Sequence, residues 1–565
     1  MKELHELGIE GRLVSVDSRR VPLYRFDLLV IGSGAAGAAA ALSAANQGAE
    51  VALIAKGDLE ETNTLYAQGG MAAVLDRSDS FEAHVEDTLR VGCGISELDR
   101  VEQVVRGGPS AVERLLRLGA PFDTDAQGGL ALEREGGHSR PRIVHAHGDA
   151  TGRAVQEVLR AAVAKHPHVT SFVDGFVLDL LCAPNGRVVG ALVHLSRGEL
   201  AVFSGGQVIL ATGGAGQIYR ETTNPSIATG DGVAVGLRAG AVVRDLEFYQ
   251  FHPTMLYIAG AARVLISEIV RGAGGVLRDR QGTRFMTKYH ESADLAPRDV
   301  VSRAIFERMV TTRDTNVYLD LSGVQGDPHR LFPGISRICR FFGIDIATDP
   351  VPVRPGAHYS IGGLEVDAEG RTTVPGLWAV GECASSGLHG ANRLGSNSLL
   401  ECLVLGSIAG ERAAAAVRDR GIQEFEVRPP RDRAAAPAGM KVNVQDVIYS
   451  LKSLMWRQLG IEREGPAMDD ARTKIRLWTR AVQELAPQDR TSWECINMLT
   501  VAHLMAVSAG FREESRGVHY RTDFPRTDPA WRAHTRLTPQ FEEGRISIVE
   551  VERVPVIEPV SAAQA

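Results

Sequence analysis

The chain has 565 residues, 44 % of them hydrophobic, enough to bury more than one core and to enclose a bulky ligand. A net charge of −7 excludes a nucleic-acid binder that relies on general phosphate neutralisation, and leaves room for local basic sites that take a small anion. The opening segment MKELHELGIEGRL carries acids and no apolar stretch, and no run reaches the roughly 18 apolar residues of a spanning helix. Cys93, Cys182, Cys339, Cys383, Cys402 and Cys495 lack CxxC pairing, so the expectation is a cytoplasmic protein with scattered reduced thiols and no metal centre.

Taken in chain order, Phe26–Ile31 reads as a buried strand, Ala35 to Gln47 as an alanine-rich helix without proline, and Val51–Ile54 as the next strand. Together they predict a β-α-β unit. The buried-strand signal returns at Gly206–Ala211 and again at Leu377–Gly381, which predicts a domain interrupted in sequence. A polar, arginine-rich region between about Arg244 and Pro352 predicts a separate lobe. Pro429, Pro430 and Pro437 mark a linker between Ile422 and Met440. Beyond it Val447, Ile448, Leu451, Leu454, Met455 and Leu459 share a helical face, with Asp446 as the expected cap.

Between the first strand and helix stands Gly32-Ser33-Gly34-Ala35-Ala36-Gly37, a GxGxxG pattern. Glycine allows the tight turn and the close approach of backbone, and the helix start presents free N–H groups to a pyrophosphate. The second strand ends at Ala55-Lys56, where a nicotinamide-dinucleotide site usually carries an acid, so the ribose must be held differently. Further segments extend the pattern to a larger dinucleotide. Asn63, Thr64, Leu65, Tyr66, Ala67, Gln68, Gly69 and Gly70 offer backbone donors to phosphate or to a ring edge. Ala211, Thr212 and Gly213 follow a strand, and Asp231 sits in a compact turn. Glu382 is placed to accept from ribityl hydroxyls, and Ser398 and Leu399 present N–H groups at a helix start.

In these and five longer stretches the chain resembles the flavoprotein-subunit family of succinate dehydrogenase and fumarate reductase, and within it the branch that oxidises L-aspartate. The stretches are Ala67–Gly70, Arg134–Ser139, Gln250–Thr254, His358–Gly363 and His389–Ser398, and the likeness continues through Ser515–Pro525. It implies an α/β fold in which a discontinuous Rossmann-like FAD-binding domain (1–243 and 353–421) carries an α+β capping domain (244–352). After the linker, 422–440, comes a C-terminal helical domain with its tail (441–565). Respiratory members carry a histidine bonded covalently to FAD just before the Ala-Gln-Gly-Gly motif. Asn63 stands at that place here, and a carboxamide cannot replace imidazole in the bond, so the FAD is expected to be noncovalent.

A substrate with two carboxylates loses much solvation unless both ends meet donors. The resemblance assigns that work to Arg298 and Arg393, with His252, His358 and Ser267 adding hydrogen-bond donors, and guanidinium suits it through paired contacts. Glu135 is the expected complement to an ammonium, and Glu268 is expected to orient the arginines. The implied reaction takes the C2 hydrogen of L-aspartate as hydride to flavin N5 and forms iminosuccinate. Oxygen, giving hydrogen peroxide, or fumarate is the expected reoxidant, and the resemblance assigns to Arg298 the proton donation that fumarate reduction needs. The product points to the early, quinolinate branch of NAD biosynthesis and to a functional link with quinolinate synthase. The alternative at this stage is a soluble fumarate reductase or succinate dehydrogenase flavoprotein, and a noncatalytic flavin-bound electron-transfer subunit is the broader one.

Overall fold

The structure is a computed structural model that describes residues 2–14, 20–260, 263–420, 442–485 and 489–556. The linker expected at 422–440 lies outside them.

A continuous apolar strand needs cover on both faces, and Leu28, Leu29 and Val30 receive it, each fully buried in the strand Leu23–Ile31. This strand lies at the middle of a seven-stranded sheet. On one side it pairs in parallel with Val51–Ile54, which in turn pairs with Val169–Phe172. On the other it pairs in parallel with Leu200–Leu210, which also takes Leu377–Ala379 at its C-terminal end. The antiparallel hairpin Phe176–Cys182 and Val188–His194 completes the sheet. The late return of Leu377–Ala379 to the strand that ends at Leu210 is the interruption the sequence suggests.

The helix Ala35–Asn46 is alanine on nearly every side, which lets two helices approach at backbone distance. It packs along the helix Asn397–Arg420, and a Cβ on Gly410 would stand 2.2 Å from the Ala40 carbonyl oxygen. That close seam holds the two sequence-distant parts of the cofactor domain together.

The arginine-rich region has its own core, from Leu256 to Val353. Its four-stranded antiparallel sheet runs in the order Tyr249–Leu256, Val351–Ser360, Val317–Asp320, Val276–Arg278. The helix Arg298–Thr312 packs on the first of these strands. Strand Val351–Ser360 runs across the boundary expected at 352 and carries His358 from the lobe back toward the cofactor domain.

Three helices, Val444–Gln458, Gly465–Glu484 and Arg490–Phe511, form the C-terminal part. The cap of the first is Asn443, whose side chain accepts from Gln445 N–H at 3.1 Å, while Asp446 lies inside the first turn. Asn443 wins because its backbone is still extended there, the conformation that aims a side-chain oxygen at the first free N–H groups. The helix Arg490–Phe511 is the one among the described residues long and apolar enough to cross a membrane, and 89 % of that stretch is buried against the rest of the protein. The tail adds a hairpin, Ala533–Glu542 with Arg545–Pro555, that the sequence reading leaves unassigned. It joins the N-terminal strand Lys2–Glu10 in a six-stranded sheet.

Candidate functional site

The cofactor cleft opens above the C-terminal ends of the central parallel strands, where an α/β sheet places its ligands. Gly32 has φ +113, and a Cβ there would lie 2.1 Å from the Ala211 carbonyl oxygen, so only glycine turns the chain at this point. A Cβ on Gly37 would lie 1.9 Å from the Gly32 carbonyl oxygen, which keeps the helix pressed on the turn. Ala35 N–H is held by Thr64 Oγ1 at 3.1 Å, and Gln156 Nε2 donates to the Ser33 carbonyl at 3.0 Å.

Ser33, Gly34, Ala35, Ala36, Lys56, Asn63, Thr64, Ala211, Thr212, Gly213, Asp231 and Glu382 all line one cleft, whose open space is about 990 Å³. Asn63, Thr64, Glu382 and Cys402 also line a second space of 650 Å³ with Tyr66, Ala67, His358, Arg393, Ser398 and Leu399. The two spaces therefore adjoin across a shared wall and act as one cavity. Asn63 Oδ1 and Thr212 Oγ1 are buried there without partners, so the donor and acceptor set fits a polar cofactor.

Lys56 is not a free cation. It meets Asp231 Oδ2 at 2.7 Å, Thr229 Oγ1 at 2.6 Å and Glu494 Oε1 at 2.9 Å. Burial disfavours the Asp231 carboxylate, but Lys56, Asn497 and Thr229 outweigh it and hold the pKa below the usual value. The pair thus braces the cleft wall. Glu382 accepts from Ser360 N–H at 3.0 Å and from Asn63 Nδ2 at 2.8 Å, and burial pushes its pKa up. Leu65, Gln68, Gly69 and Gly70 do not line the cleft. A Cβ on Gly70 would meet Ile143 and the Val144 carbonyl within 2.4 Å, so this glycine serves the packing of the small sheet beneath.

The arginines converge next to this cavity. Arg298 Nη1 and Arg393 Nη1 each donate to the same oxygen, Gln250 Oε1, at 3.3 Å. Gln250 is fully buried, and its Nε2 donates to Asn392 Oδ1 and to the Arg393 carbonyl. Arg393 Nη2 donates to Ser398 Oγ at 2.6 Å, and its guanidinium stands 4.7 Å over the Tyr359 ring. Arg393 Nε has no partner. Burial, and then the charge of Arg298, lower the Arg393 pKa to about 10. An anion bound between the two would relieve that repulsion.

Arg298 Nε donates to Glu268 Oε2 at 2.8 Å, and Glu268 Oε1 faces Arg271 Nη2 at 3.6 Å. Burial raises the Glu268 pKa, yet Arg298 and Arg271 together keep it below the ordinary range. His252 and His358 stand with ring centroids 5.3 Å apart. Burial first, then Arg298 for His252 and Arg393 for His358, push both far below 6.5, so both rings are neutral. His252 Nδ1 accepts from Thr254 N–H at 3.2 Å, which leaves the proton on Nε2 as a donor.

Glu135 Oε2 accepts from Ser396 Oγ at 2.6 Å, and Oε1 is buried without a partner. The loop that carries it is fixed from behind. Arg142 donates to Asp79 and Asp87 at 2.6 to 2.8 Å, and His138 Nε2 meets the Gly395 carbonyl at 3.0 Å. Glu135, Ser267 and Glu268 also line a third space, of 960 Å³, between this loop and the lobe.

The structure thus brings Arg298, Arg393, His358, His252, Glu268 and Glu135 together beside the cavity. Ser398 differs in detail, since its hydroxyl accepts from Arg393. Sequence reasoning missed Gln250 and Tyr359, although both stand inside the quoted motifs. A glutamine flanking a motif histidine and a tyrosine following one were the available signals.

The FAD binding domain family matches residues 27–399, and the fumarate reductase flavoprotein C-terminal family matches residues 449–563. The L-aspartate oxidase of Streptomyces coelicolor is 44 % identical over 536 residues, covering 91 % of this chain and 92 % of that one. That of Bacillus subtilis is 43 % identical over 508 residues, covering 89 % and 92 %. Among solved structures, a quinol-fumarate reductase with menaquinol has a TM-score of 0.86 at 32 % identity, covering 96 % of this chain and 100 % of that chain. The FrdA chain of E. coli quinol fumarate reductase has 0.85 at 31 %, covering 96 % and 98 %. Cofactor cleft, paired arginines and these likenesses agree, and the chain belongs to the succinate dehydrogenase and fumarate reductase flavoprotein family, in its L-aspartate oxidase branch.

Proposed function

We propose that the chain is an FAD-dependent enzyme that oxidises L-aspartate to iminosuccinate. The observation that carries this reading is the buried Arg393 and the half-buried Arg298 sharing one carboxamide oxygen, with a donor unspent and a half-paired glutamate nearby. FAD, when bound, supplies the acceptor for the C2 hydrogen.

Arg298 and Arg393 hold the two carboxylates, replacing the water that each loses. His252 Nε2–H adds a donor, and neutral histidines keep the local charge from exceeding what a dianion balances. Glu135 Oε1 faces the ammonium, and its loop is rigid enough to aim the C2–H bond, so placement contributes to rate as well as affinity. The substrate amine must lose a proton before or during C=N formation, since a full ammonium has no lone pair. Within the cluster Arg298, Glu268 and Arg271 form a continuous polar row. That row suits proton delivery through Arg298 when fumarate is the substrate.

Asn63 is committed to Glu382 through its amide nitrogen, and a carboxamide forms no bond to the ring, so the FAD is held noncovalently. Acid precipitation is expected to release all flavin into the supernatant. Oxygen and fumarate serve as reoxidants, and the unstable imine requires a consuming enzyme of the quinolinate synthase kind in the same compartment, the cytoplasm. The deciding measurement mixes the protein anaerobically with L-aspartate or succinate, follows loss of flavin absorbance, and then admits oxygen or fumarate. Faster bleaching by aspartate is expected. Bleaching by succinate alone would assign the chain to fumarate and succinate chemistry instead.

A further inference from the structure

The two substrate arginines come from different parts of the fold, and a diacid must match their separation. Arg298 opens the helix Arg298–Thr312, while Arg393 lies in the loop before the helix Asn397–Arg420. Their chain neighbours meet. Asn392 Nδ2 donates to Asp299 Oδ1 at 3.0 Å, and Asn392 Oδ1 accepts from Gln250 Nε2 at 3.0 Å. Since Gln250 Oε1 accepts from both arginines, the five residues close a hydrogen-bonded ring. The ring is also braced from outside: Arg303 Nη2 donates to Asp299 Oδ2 at 2.9 Å, Arg303 Nη1 donates to the Gly517 carbonyl at 3.0 Å, and its guanidinium stacks over Tyr520.

We infer that the Asp299–Asn392 hydrogen bond is the gauge that sets the separation of Arg298 and Arg393, and so makes the site select a four-carbon over a five-carbon dicarboxylate. The inference rests on the reading that these arginines hold the two carboxylates of L-aspartate. Arginine side chains are long and lose much rotamer freedom when fixed, so their tips keep a fixed distance only if their backbones and a shared acceptor do. The ring provides both. Asp299 and Asn392 are positioning residues, one position along the chain from each arginine.

The polarity of the bond makes it testable. Asn392→Asp sets two carboxylates face to face. Asp299→Asn forces an amide NH2 against either the Asn392 amide or Arg303. The double exchange restores every contact: the amide nitrogen at 299 donates to the carboxylate at 392, which still accepts from Gln250, and the amide oxygen at 299 still accepts from Arg303.

The experiment measures kcat/KM for L-aspartate and L-glutamate on FAD-saturated wild type, both single variants and the double variant. One methylene in a fixed site is worth about 10- to 200-fold in discrimination. Each single variant is expected to lower the aspartate-to-glutamate ratio by about tenfold, through KM for aspartate more than kcat, and the double variant to return within about threefold of wild type. Equal losses for both substrates, or a double variant no better than the worse single one, overturns the gauge. Arg303→Gln is the second probe, because it loosens Asp299 without opposing charges. It is expected to lower the ratio by about threefold, and an unchanged ratio counts against the gauge. Wild type that aspartate does not reduce would instead refute the proposed activity, so the two failures are separable.

Discussion

Two buried arginine clusters in this protein share residue type and depth and differ in their carboxylates. At the domain junction Arg393 is repelled by Arg298, keeps an unpaired Nε, and has its pKa lowered to about 10 by burial and that repulsion. In the C-terminal part Arg512 meets Glu247 at 2.6 Å and Glu514 at 2.9 Å, and spends its other donors on Trp531, Ala533 and Thr535. Burial disfavours its charge too, but Glu247 and its neighbours win and raise the pKa. A buried guanidinium with enough acids of its own is a girder. One left short of them is waiting for an anion.

The largest expected effects test that contrast directly. Arg512→Ala strands Glu247 without a cation and leaves Glu514 with Arg516 alone, and is expected to cost about 3–5 kcal/mol of folding stability, read by urea unfolding of the FAD-bound protein. Arg393→Ala is expected to leave stability within about 1 kcal/mol, since removing one of two repelling charges offsets the lost contacts. Its flavin reduction at subsaturating aspartate is expected to fall by about a hundredfold in stopped flow, with most FAD retained. A stable Arg512 variant together with an unstable, active Arg393 variant would break the comparison.

A smaller effect follows from the buried imidazoles that support the Glu135 loop. Burial lowers His84 to about 4, the bond to Asn397 partly opposing it, and lowers His138 to about 3, with the neighbouring His84 adding to the shift. Both folded-state values lie below the ordinary 6.5, so the neutral ring belongs to the folded protein. The stability they contribute is complete above pH 6.5 and is lost as pH falls toward 4 and 3. For His84 alone the limit is about 3 kcal/mol. Denaturant midpoints measured from pH 7 to 4.5 are expected to fall, and less steeply in His84→Gln. The same slope in that variant would mean the titration belongs elsewhere.

Next in size is Glu135→Gln. A charge facing the ammonium matters only for a substrate that has one, so kcat/KM for aspartate is expected to drop by about tenfold more than that for fumarate reduction. Equal losses would make Glu135 a prop for Ser396 and the loop rather than a contact of the amine.

Much of the fold was legible because it is written in short-range physics. Leu28–Ile31 and Val51–Ile54 are unbroken apolar runs, and the alanine helix between them has no competing structure. The hairpin Ala533–Glu542 with Arg545–Pro555 was not legible, because its strands mix charge with apolar residues and find their outer sheet partners far away in the chain, at Val243–Arg244 and at the N-terminal strand. Asp446 misled for a local reason: the helix starts two residues earlier, where Asn443 is still extended. At the site, Arg298 and Arg393 came from the resemblance, since nothing in spacing joins positions so far apart. Gln250 escaped because a neutral carboxamide carries no chemistry of its own. Its value lies in one oxygen shared between two cations, which only the folded geometry displays.

The smallest expected effect concerns the one donor of Arg393 that the chain satisfies with a side chain other than Gln250. Ser398 Oγ accepts from Nη2 at 2.6 Å at the start of a helix, so it fixes the tilt of the guanidinium without supplying charge. A neutral hydrogen bond of this kind contributes about 1 kcal/mol, more when one partner is charged. Ser398→Ala is therefore expected to raise KM for aspartate by about five- to tenfold, with kcat nearly unchanged and FAD affinity untouched. If FAD affinity falls instead, Ser398 acts toward the cofactor through its backbone, as its position at the helix start first suggests. The guanidinium would then owe its pose to Gln250 and Tyr359 alone. Either result sharpens the contrast with Arg512, whose five donors leave no such question because each is already spent inside the protein.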